Sequence, residues 1–196
     1  DSSWQRKKSV KEIVKPLMQW YAKHARTLPW RSDPTPYHVW LSEIMLQQTR
    51  VEAVIGYYDR FLEELPDVQS LAAVSEERLL KLWEGLGYYN RARNLQKAAV
   101  QICEQYQGKF PESYEEWLAL PGIGAYTAGA VTSIAFGKKE AAVDGNVYRI
   151  YTRLYADDTE ISKTAFQRNV RETVKEALPE EAGRFNQALM DLGALI

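Results

Sequence analysis

The chain has 196 residues, of which 45% are hydrophobic, and a formal net charge of −1. This composition suffices for one core or two small lobes, whereas a uniformly cationic coat for nucleic acid is excluded. The sequence contains no run of 18 apolar residues, so no membrane span is predicted. The single cysteine, Cys103, excludes an internal disulfide framework. The first residues lack the apolar core of a signal peptide, so we expect a cytoplasmic location.

Charge is unevenly distributed along the chain. Residues 1–28 contain seven basic and two acidic residues, with Arg6, Lys7 and Lys8 adjacent to one another, whereas acidic residues concentrate later, for example in residues 157–160. Any polyanion is therefore expected to bind at local patches rather than over the whole surface.

Apolar residues recur with the helical period almost throughout, and no segment has the alternation of a strand, which predicts an all-α fold. Helices are expected over about residues 10–21, 37–48, 51–62, 75–84, 90–106, 113–118, 125–136, 144–155, 163–177 and 181–196. Residues 28–36 and 85–87 are expected to be loops because they are rich in proline or glycine. In the last helix the helical spacing of apolar residues continues to the end of the sequence at Ile196, and no capping residue follows, so we expect a truncated chain.

The segment LPGIGAYTAG, residues 120–129, predicts a tight hairpin between two helices. Gly122 and Gly124 allow the backbone to turn sharply, and the second helix then begins with free N–H groups that can bind a phosphate. Without further evidence, the same segment is equally typical of an ordinary turn in a helical protein.

A carboxylate follows the hairpin at a fixed interval. Asp144 lies 20 residues after Gly124, in VDGNV, where an aspartate before a helix is usually an N-cap. LPGIG and VDGNV at this interval resemble the helix-hairpin-helix DNA glycosylase superfamily, in which the matching aspartate is the catalytic carboxylate. We expect the helix N-terminus to keep Asp144 ionised, as needed to face a developing cation.

A second carboxyl group lies in WLSEIMLQQT, residues 40–49. On a helix, Glu43 and Gln47 share a face beside the apolar face, which is compatible with a solvated pair. The residues around Glu43 are nearly all apolar, however, and such surroundings raise the pKa of a carboxyl group so that it keeps its proton.

Six motifs together resemble the adenine DNA glycosylase (MutY) family of this superfamily. They are LPWR, WLSEIMLQQT, GLGYYNRARNL, LPGIGAYTAG, VDGNV and FNQALMDLGALI, spread over residues 28–196. The resemblance implies hydrolysis of the N-glycosidic bond of adenine mispaired with 8-oxoguanine or guanine in double-stranded DNA. It also implies a helix-hairpin-helix fold of two helical lobes with the active site in the cleft between them.

The resemblance assigns roles to four residues at the reaction centre. Glu43 matches the general acid that protonates adenine, and Asp144 matches the carboxylate that stabilises the sugar cation or bonds to it. Asn146 matches a residue that orients this carboxylate. Tyr126 occupies the hairpin position at which bifunctional relatives carry a lysine, so no Schiff base can form and a monofunctional enzyme is expected.

Further positions are implied for DNA and cation binding. Gln48 and Tyr88 match residues that wedge into the duplex. Positions matching the adenine pocket or the DNA surface are Arg26, Arg31, Leu46, Leu86, Arg91, Gly122, Gly124 and Gln187. The carbonyls of Leu118, Leu120 and Ile123 match a site at which the hairpin holds a cation bridging to phosphate.

The chain departs from the family pattern in two respects. Family members carry four cysteines just beyond the DLGAL segment that hold a 4Fe–4S cluster, whereas here only Cys103 is present. The family's C-terminal domain, which reads 8-oxoguanine, has no counterpart either, so weaker discrimination of the opposite base is expected. No nucleotide cofactor or catalytic metal is expected, and the protein is expected to be a monomer.

The resemblance also implies a division of the chain into two lobes. Residues 1–28 and 137–196 are expected to form one, and residues 29–136 a six-helix lobe with the hairpin at about 113–136. Three alternatives remain: a mismatch or oxidised-pyrimidine glycosylase of the same fold, a non-enzymatic helix-hairpin-helix DNA-binding module, or a purely structural helical protein. The first does not need Glu43, the second needs neither Glu43 nor Asp144, and the third leaves the wedge aromatics unexplained.

Overall fold

A computed structural model describes residues 9–196, and its regular structure over these residues is entirely helical. The all-α prediction is therefore confirmed. The helices are α1 (Val10–His24), α2 (Pro29–Ser32), α3 (Pro36–Leu46), α4 (Val51–Glu64), α5 (Val68–Ala73), α6 (Glu76–Trp83), α7 (Asn90–Tyr106), α8 (Tyr114–Leu118), α9 (Ala125–Phe136), α10 (Gly145–Tyr155), α11 (Thr164–Ala177) and α12 (Ala182–Gly193).

Several helices begin where a polar side chain caps the first free backbone N–H groups. Ser75, at the start of one expected helix, accepts a hydrogen bond from the N–H of Arg78, and Ser113, at the start of another, accepts one from the N–H of Glu116. Both predicted starts are confirmed. Asp67 caps α5 through a reciprocal pair of hydrogen bonds with Ser70.

One compact unit comprises Thr27–Val131, and α3 is its central element. Eight of the eleven residues of α3 are buried, and the helix packs against α2, α4 and α7. Trp117 of α8 stacks on Phe110 and meets Trp40 of α3 edge-on, with ring centroids 5.8 Å apart in both cases. This aromatic cluster anchors the start of the hairpin to the central helix.

The other unit contains residues 9–26 and Thr132–Ile196, in which α1 packs on α11 and α12, and α10 packs on the same two helices. Its core is built from the apolar stripes of these four helices and includes Leu17, Val147, Val170, Phe185 and Leu189. Asn186 is fully buried, and its amide donates to the Ser133 hydroxyl at 3.0 Å and accepts from the Ala142 N–H. These bonds fix the segment that leads to Asp144.

The structure differs from the expected elements at three places. Two short helices, α2 and α5, lie where the sequence predicted no helix, because each has too few residues to show a clear period. The last helix ends at Gly193, so the prediction that it continues to Ile196 is wrong. Leu195 and Ile196, which extend the apolar stripe in sequence, are exposed.

Among the described residues, the longest helix has 17 residues and is polar on one face, and none qualifies as a membrane span. The adjacent basic residues Arg6, Lys7 and Lys8 lie outside the described residues.

Candidate active site

Glu43 is an acid inside an apolar helix. It lies in the middle of α3, and only 7% of its surface is exposed. Its neighbours in sequence, Ser42 and Ile44, are also buried. Burial of this kind withdraws a carboxyl group from bulk water. α3 ends at Leu46 with Gln47 as its C-cap, so the shared face of Glu43 and Gln47 stays a prediction.

Asp144 is the N-cap of α10, as the pattern of its segment predicts. Its Oδ1 accepts a hydrogen bond from the N–H of Val147 at 3.0 Å, and its Oδ2 lies 3.4 Å from Nδ2 of Asn146. The side chain is neither fully exposed nor fully buried. One oxygen is therefore held by the helix, and the second faces the amide that was predicted to orient it.

The protonation of Asp144 is set by opposing effects. Burial raises its pKa above the ordinary value, and this is the largest effect. The backbone N–H groups at the start of α10 and the charge of Arg149 lower the pKa without cancelling the effect of burial. The helix end therefore favours the carboxylate, as the sequence predicted, while burial acts against it; the predicted ionisation of Asp144 stays a prediction.

Asn146 is itself held in one orientation. The guanidinium of Arg149 donates to Oδ1 of Asn146 and to the carbonyl of Gly193, the latter at 3.2 Å. With its oxygen engaged by Arg149, the amide presents its Nδ2 to Asp144. A Cβ on Gly193 would lie 2.5 Å from Cβ of Asn146, so α12 approaches this site too closely for any side chain.

Of the two hairpin glycines, only Gly122 has the positive φ that a tight turn requires. Gly122 has φ of +77°, and a Cβ there would lie 2.9 Å from Cβ of Asn94, so only glycine fits. Gly124 has no positive φ, is exposed, and an added Cβ there would meet no atom within 4 Å. The carbonyl of Leu120 accepts from the N–H of Ile123 at 3.2 Å, and Leu118 is exposed. Tyr126 lies half-buried in the first turn of α9.

The two predicted wedge residues both have left-handed backbones. Gln48, just after α3, has φ of +59°, and Tyr88, just before α7, has φ of +48°. Such a conformation costs a residue other than glycine about 1–2 kcal/mol. Both side chains are exposed, and Tyr88 with 65% of its surface accessible is among the most exposed large side chains described. The sequence contained no sign of this strain.

Arg91 connects the segments that carry these two residues. Its guanidinium donates to the carbonyls of Ile44 at 2.8 Å and Met45 at 3.0 Å, and also to that of Gln47. It further donates to the Thr49 hydroxyl at 3.3 Å and to the carbonyls of Leu86 at 3.2 Å and Gly87 at 3.3 Å. The sequence placed Arg91 at the DNA surface; the structure shows that its donors face the protein backbone.

The remaining predicted positions are distributed over both units. In one, Arg26 is bound through Nε and its backbone N–H to the buried carboxylate of Asp191, and Gln187 accepts a hydrogen bond from Tyr21 at 3.0 Å. In the other, Leu86 is buried, whereas Arg31 and Leu46 are half-buried. Their proposed roles at DNA stay predictions.

The chain has one cysteine and two histidines. Cys103 lies on α7, and burial raises the pKa of its thiol. One cysteine does not provide the four thiolates of a 4Fe–4S cluster, and the described part of the chain holds no group of three His, Cys, Asp or Glu side chains arranged for a metal ion. The residues present therefore do not fit such a cluster.

A family model for the HhH-GPD superfamily of base excision DNA repair proteins matches residues 41–176. The matched range includes the two carboxyl groups, the hairpin and the wedge residues. Two of the six motifs, LPWR and FNQALMDLGALI, lie outside it.

Curated relatives that match the chain are named adenine DNA glycosylases. One from Buchnera aphidicola subsp. Baizongia pistaciae is 42% identical over 92% of this chain and 51% of the relative. One from Homo sapiens is also 42% identical, over 92% of this chain and 35% of the relative. The chain thus spans between a third and a half of the length of these relatives.

Solved structures with the same fold include two kinds of DNA glycosylase. A thermostable thymine-DNA glycosylase matches with a TM-score of 0.87 and 30% identity, over 95% of this chain and 86% of that one. An endonuclease III trapped as a covalent DNA intermediate matches with a TM-score of 0.77 and 24% identity, over 92% of this chain and 83% of that one. The helix-hairpin-helix glycosylase fold predicted from the sequence is confirmed.

Proposed function

The chain belongs to the HhH-GPD superfamily of base excision DNA repair proteins, and from this we propose that it hydrolyses the N-glycosidic bond of adenine mispaired with 8-oxoguanine or guanine. The observation that carries the choice of adenine is the burial of Glu43 within α3, with 7% of its surface exposed. The names of the curated relatives support the same substrate. The reaction partner is double-stranded DNA, bound by a monomer.

Glu43 acts as the general acid. Adenine is a poor leaving group as an anion, and protonation of a ring nitrogen lets it depart as a neutral base. Glu43 is suited to this by its position in α3, where burial shields the carboxyl group from bulk water.

Asp144 acts on the sugar. As the glycosidic bond breaks, the sugar develops oxocarbenium character, which a carboxylate stabilises by charge or by a transient covalent bond. The Oδ2 side of Asp144, which accepts from the amide of Asn146, is the candidate for this contact, because Oδ1 is engaged by the N–H of Val147. Water completes the reaction and leaves an abasic site.

The base must leave the helical stack before either group can reach it. Extrusion of a nucleotide costs on the order of a few kcal/mol, which the protein recovers by filling the space that the base leaves. The exposed Tyr88 provides an aromatic surface for stacking, and Gln48 provides an amide for hydrogen bonds with the base left behind.

The chain is proposed to be monofunctional. A lyase reaction would begin with attack of an amine on the sugar, and the hairpin position proposed to face it carries Tyr126. A phenol forms no Schiff base. The expected product is therefore an intact strand with an abasic site.

A second candidate is removal of thymine from mismatches with guanine, because the thermostable thymine-DNA glycosylase has 30% identity and a TM-score of 0.87. A base-release assay separates the two. Duplexes with adenine opposite 8-oxoguanine, adenine opposite guanine and thymine opposite guanine are incubated with excess protein, and the free base is quantified. Release of adenine alone supports the proposal, whereas release of thymine without adenine overturns it.

A further inference from the structure

Arg91 contacts the residues on both sides of Gln48. Its guanidinium bonds to the carbonyl of Gln47 and to the Thr49 hydroxyl, and it also closes the end of α3 through the carbonyls of Ile44 and Met45. Carbonyls at a helix C-terminus lack partners within the helix and are satisfied well by a cation. The left-handed residue Gln48 is thus enclosed between two fixed neighbours.

The same guanidinium holds the backbone just before Tyr88. It bonds to the carbonyls of Leu86 and Gly87, and the Gly87 carbonyl also accepts from the indole N–H of Trp83 at 3.1 Å. The guanidinium carbon lies 5.8 Å from the centre of the Tyr88 ring and 5.3 Å from that of Trp83. The backbone and the ring of Tyr88 are therefore positioned by one side chain.

We propose that Arg91 is a positioning residue for base extrusion: it holds the two left-handed residues, Gln48 and Tyr88, in the geometry that enters the duplex. The inference rests on the proposed function. It differs from the role at the DNA surface that the sequence suggested, because the two Nη atoms of the guanidinium lie within hydrogen-bond distance of six acceptors of the protein itself, and Nε is buried without a partner.

Lysine cannot reproduce this arrangement. A guanidinium presents five donors in a planar fork, whereas an ammonium presents three on a flexible stem. Arg91→Lys therefore keeps the charge and removes the connection between the two segments. Arg93→Lys is the matched control, because Arg93 lies on the same helix, is exposed, and bonds at 2.9 Å to the carboxylate of Glu76 rather than to these segments.

The first measurement is amide hydrogen exchange of the free protein. In Arg91→Lys, exchange in the segments 47–49 and 85–88 is expected to accelerate about tenfold or more, since charge-assisted hydrogen bonds that restrain local opening are lost. Arg93→Lys leaves both segments unchanged. Unchanged exchange in Arg91→Lys shows that the side chain does not fix the backbone and overturns the proposal.

The second measurement separates positioning from phosphate contact. Fluorescence of 2-aminopurine placed opposite 8-oxoguanine reports extrusion, and the salt dependence of affinity for an undamaged duplex reports phosphate contacts. For Arg91→Ala we expect loss of the fluorescence increase with an unchanged salt slope. If Arg91→Ala instead shows normal extrusion and a slope of log affinity against log salt that is smaller by about one, Arg91 is a phosphate ligand and the proposal is overturned.

Two further controls keep the test decisive. If the Arg91 variants do not fold, Thr49→Val removes a single acceptor of the guanidinium and is expected to change exchange and extrusion in the same direction to a smaller extent. If the unmodified protein leaves 2-aminopurine stacked, the proposed function fails, while the exchange comparison still decides whether Arg91 fixes the two segments.

Discussion

Asp144 and Val147 are joined by a hydrogen bond of 3.0 Å from the backbone N–H to Oδ1, so the carboxylate proposed to meet the sugar cation also caps its own helix. An N-cap in this position satisfies one of the free N–H groups at the start of α10. The same bond leaves Oδ2 for chemistry. Catalysis and helix capping are therefore two uses of one side chain, and the site can be tested through either.

Replacement of Asp144 by asparagine should abolish turnover without loss of stability at neutral pH. Because burial raises the pKa of Asp144 in the folded protein, its carboxylate opposes folding above that pKa, and this effect disappears as pH falls below the ordinary value of about 3.9. Asparagine caps a helix as well as aspartate does and carries no charge. Asp144→Asn is expected to be at least as stable as the unmodified protein at pH 7.

The measurement is thermal unfolding at pH 7 and at pH 4, together with single-turnover base release. The stability difference between Asp144→Asn and the unmodified protein should shrink at the lower pH. Clear destabilisation of Asp144→Asn at pH 7 would show that the carboxylate is a net structural contributor and that burial is not its dominant environment.

The pH dependence of base release should respond to Arg149. Release is expected to fall as pH decreases through the raised pKa of Asp144, since the protonated acid no longer stabilises the sugar cation. The charge of Arg149 lowers that pKa. In a plot of the release rate against pH, Arg149→Met should therefore move the fall on the acidic side, the acidic limb, to higher pH. Arg153 is exposed on the same helix, and Arg153→Gln should leave the acidic limb at the same pH. An unmoved limb in Arg149→Met contradicts the assignment of the limb to Asp144.

A side chain at position 193 of α12 is expected to slow base release in addition to destabilising the fold, because α12 packs closely against Asn146. Gly193→Ala places a Cβ 2.5 Å from Cβ of Asn146 and is expected to displace the amide from Asp144. Gly183→Ala creates comparable crowding, 2.5 Å from the Ser133 carbonyl, on the same helix.

Both glycine variants are expected to be destabilised by about 1–3 kcal/mol through overpacking. Only Gly193→Ala should also reduce the rate constant of base release measured with excess enzyme. Equal rate constants for the two variants would show that the orientation of Asn146 does not affect the reaction.

A lysine in the hairpin should introduce a new activity. Tyr126→Lys places an amine in the first turn of α9, where attack on the sugar would form a Schiff base. Borohydride is expected to trap a covalent complex with DNA in this variant and none in Tyr126→Met. If base release persists in Tyr126→Lys but no complex is trapped, the position does not face the sugar.

The sequence predicted helices and caps better than the surroundings of single side chains. The helical period and the capping serines predicted most of the fold, and the N-cap role of Asp144 followed from its segment alone. The net direction of its pKa did not follow, because it depends on how much of the side chain the tertiary fold covers. Local sequence patterns do not report how deeply the tertiary fold buries a given side chain.

The left-handed backbones at Gln48 and Tyr88 could not be predicted for a related reason. Neither residue type favours a positive φ, so the conformation is imposed by tertiary contacts rather than by local preference. The contacts that fix it come from Arg91, which is more than 40 residues from Gln48 in the chain. In sequence, Arg91 is one of several basic residues beside the wedge and cannot be told apart from a phosphate ligand.

The most direct test of the account is single-turnover release of adenine by Glu43→Gln from a duplex with adenine opposite 8-oxoguanine. Loss of a general acid is expected to reduce the rate constant about 10²–10⁴-fold, with DNA affinity retained. Glu52→Gln, an exposed change in the first turn of α4, should react at the normal rate. A rate constant for Glu43→Gln equal to that of the unmodified protein would contradict the assignment of Glu43 as the acid.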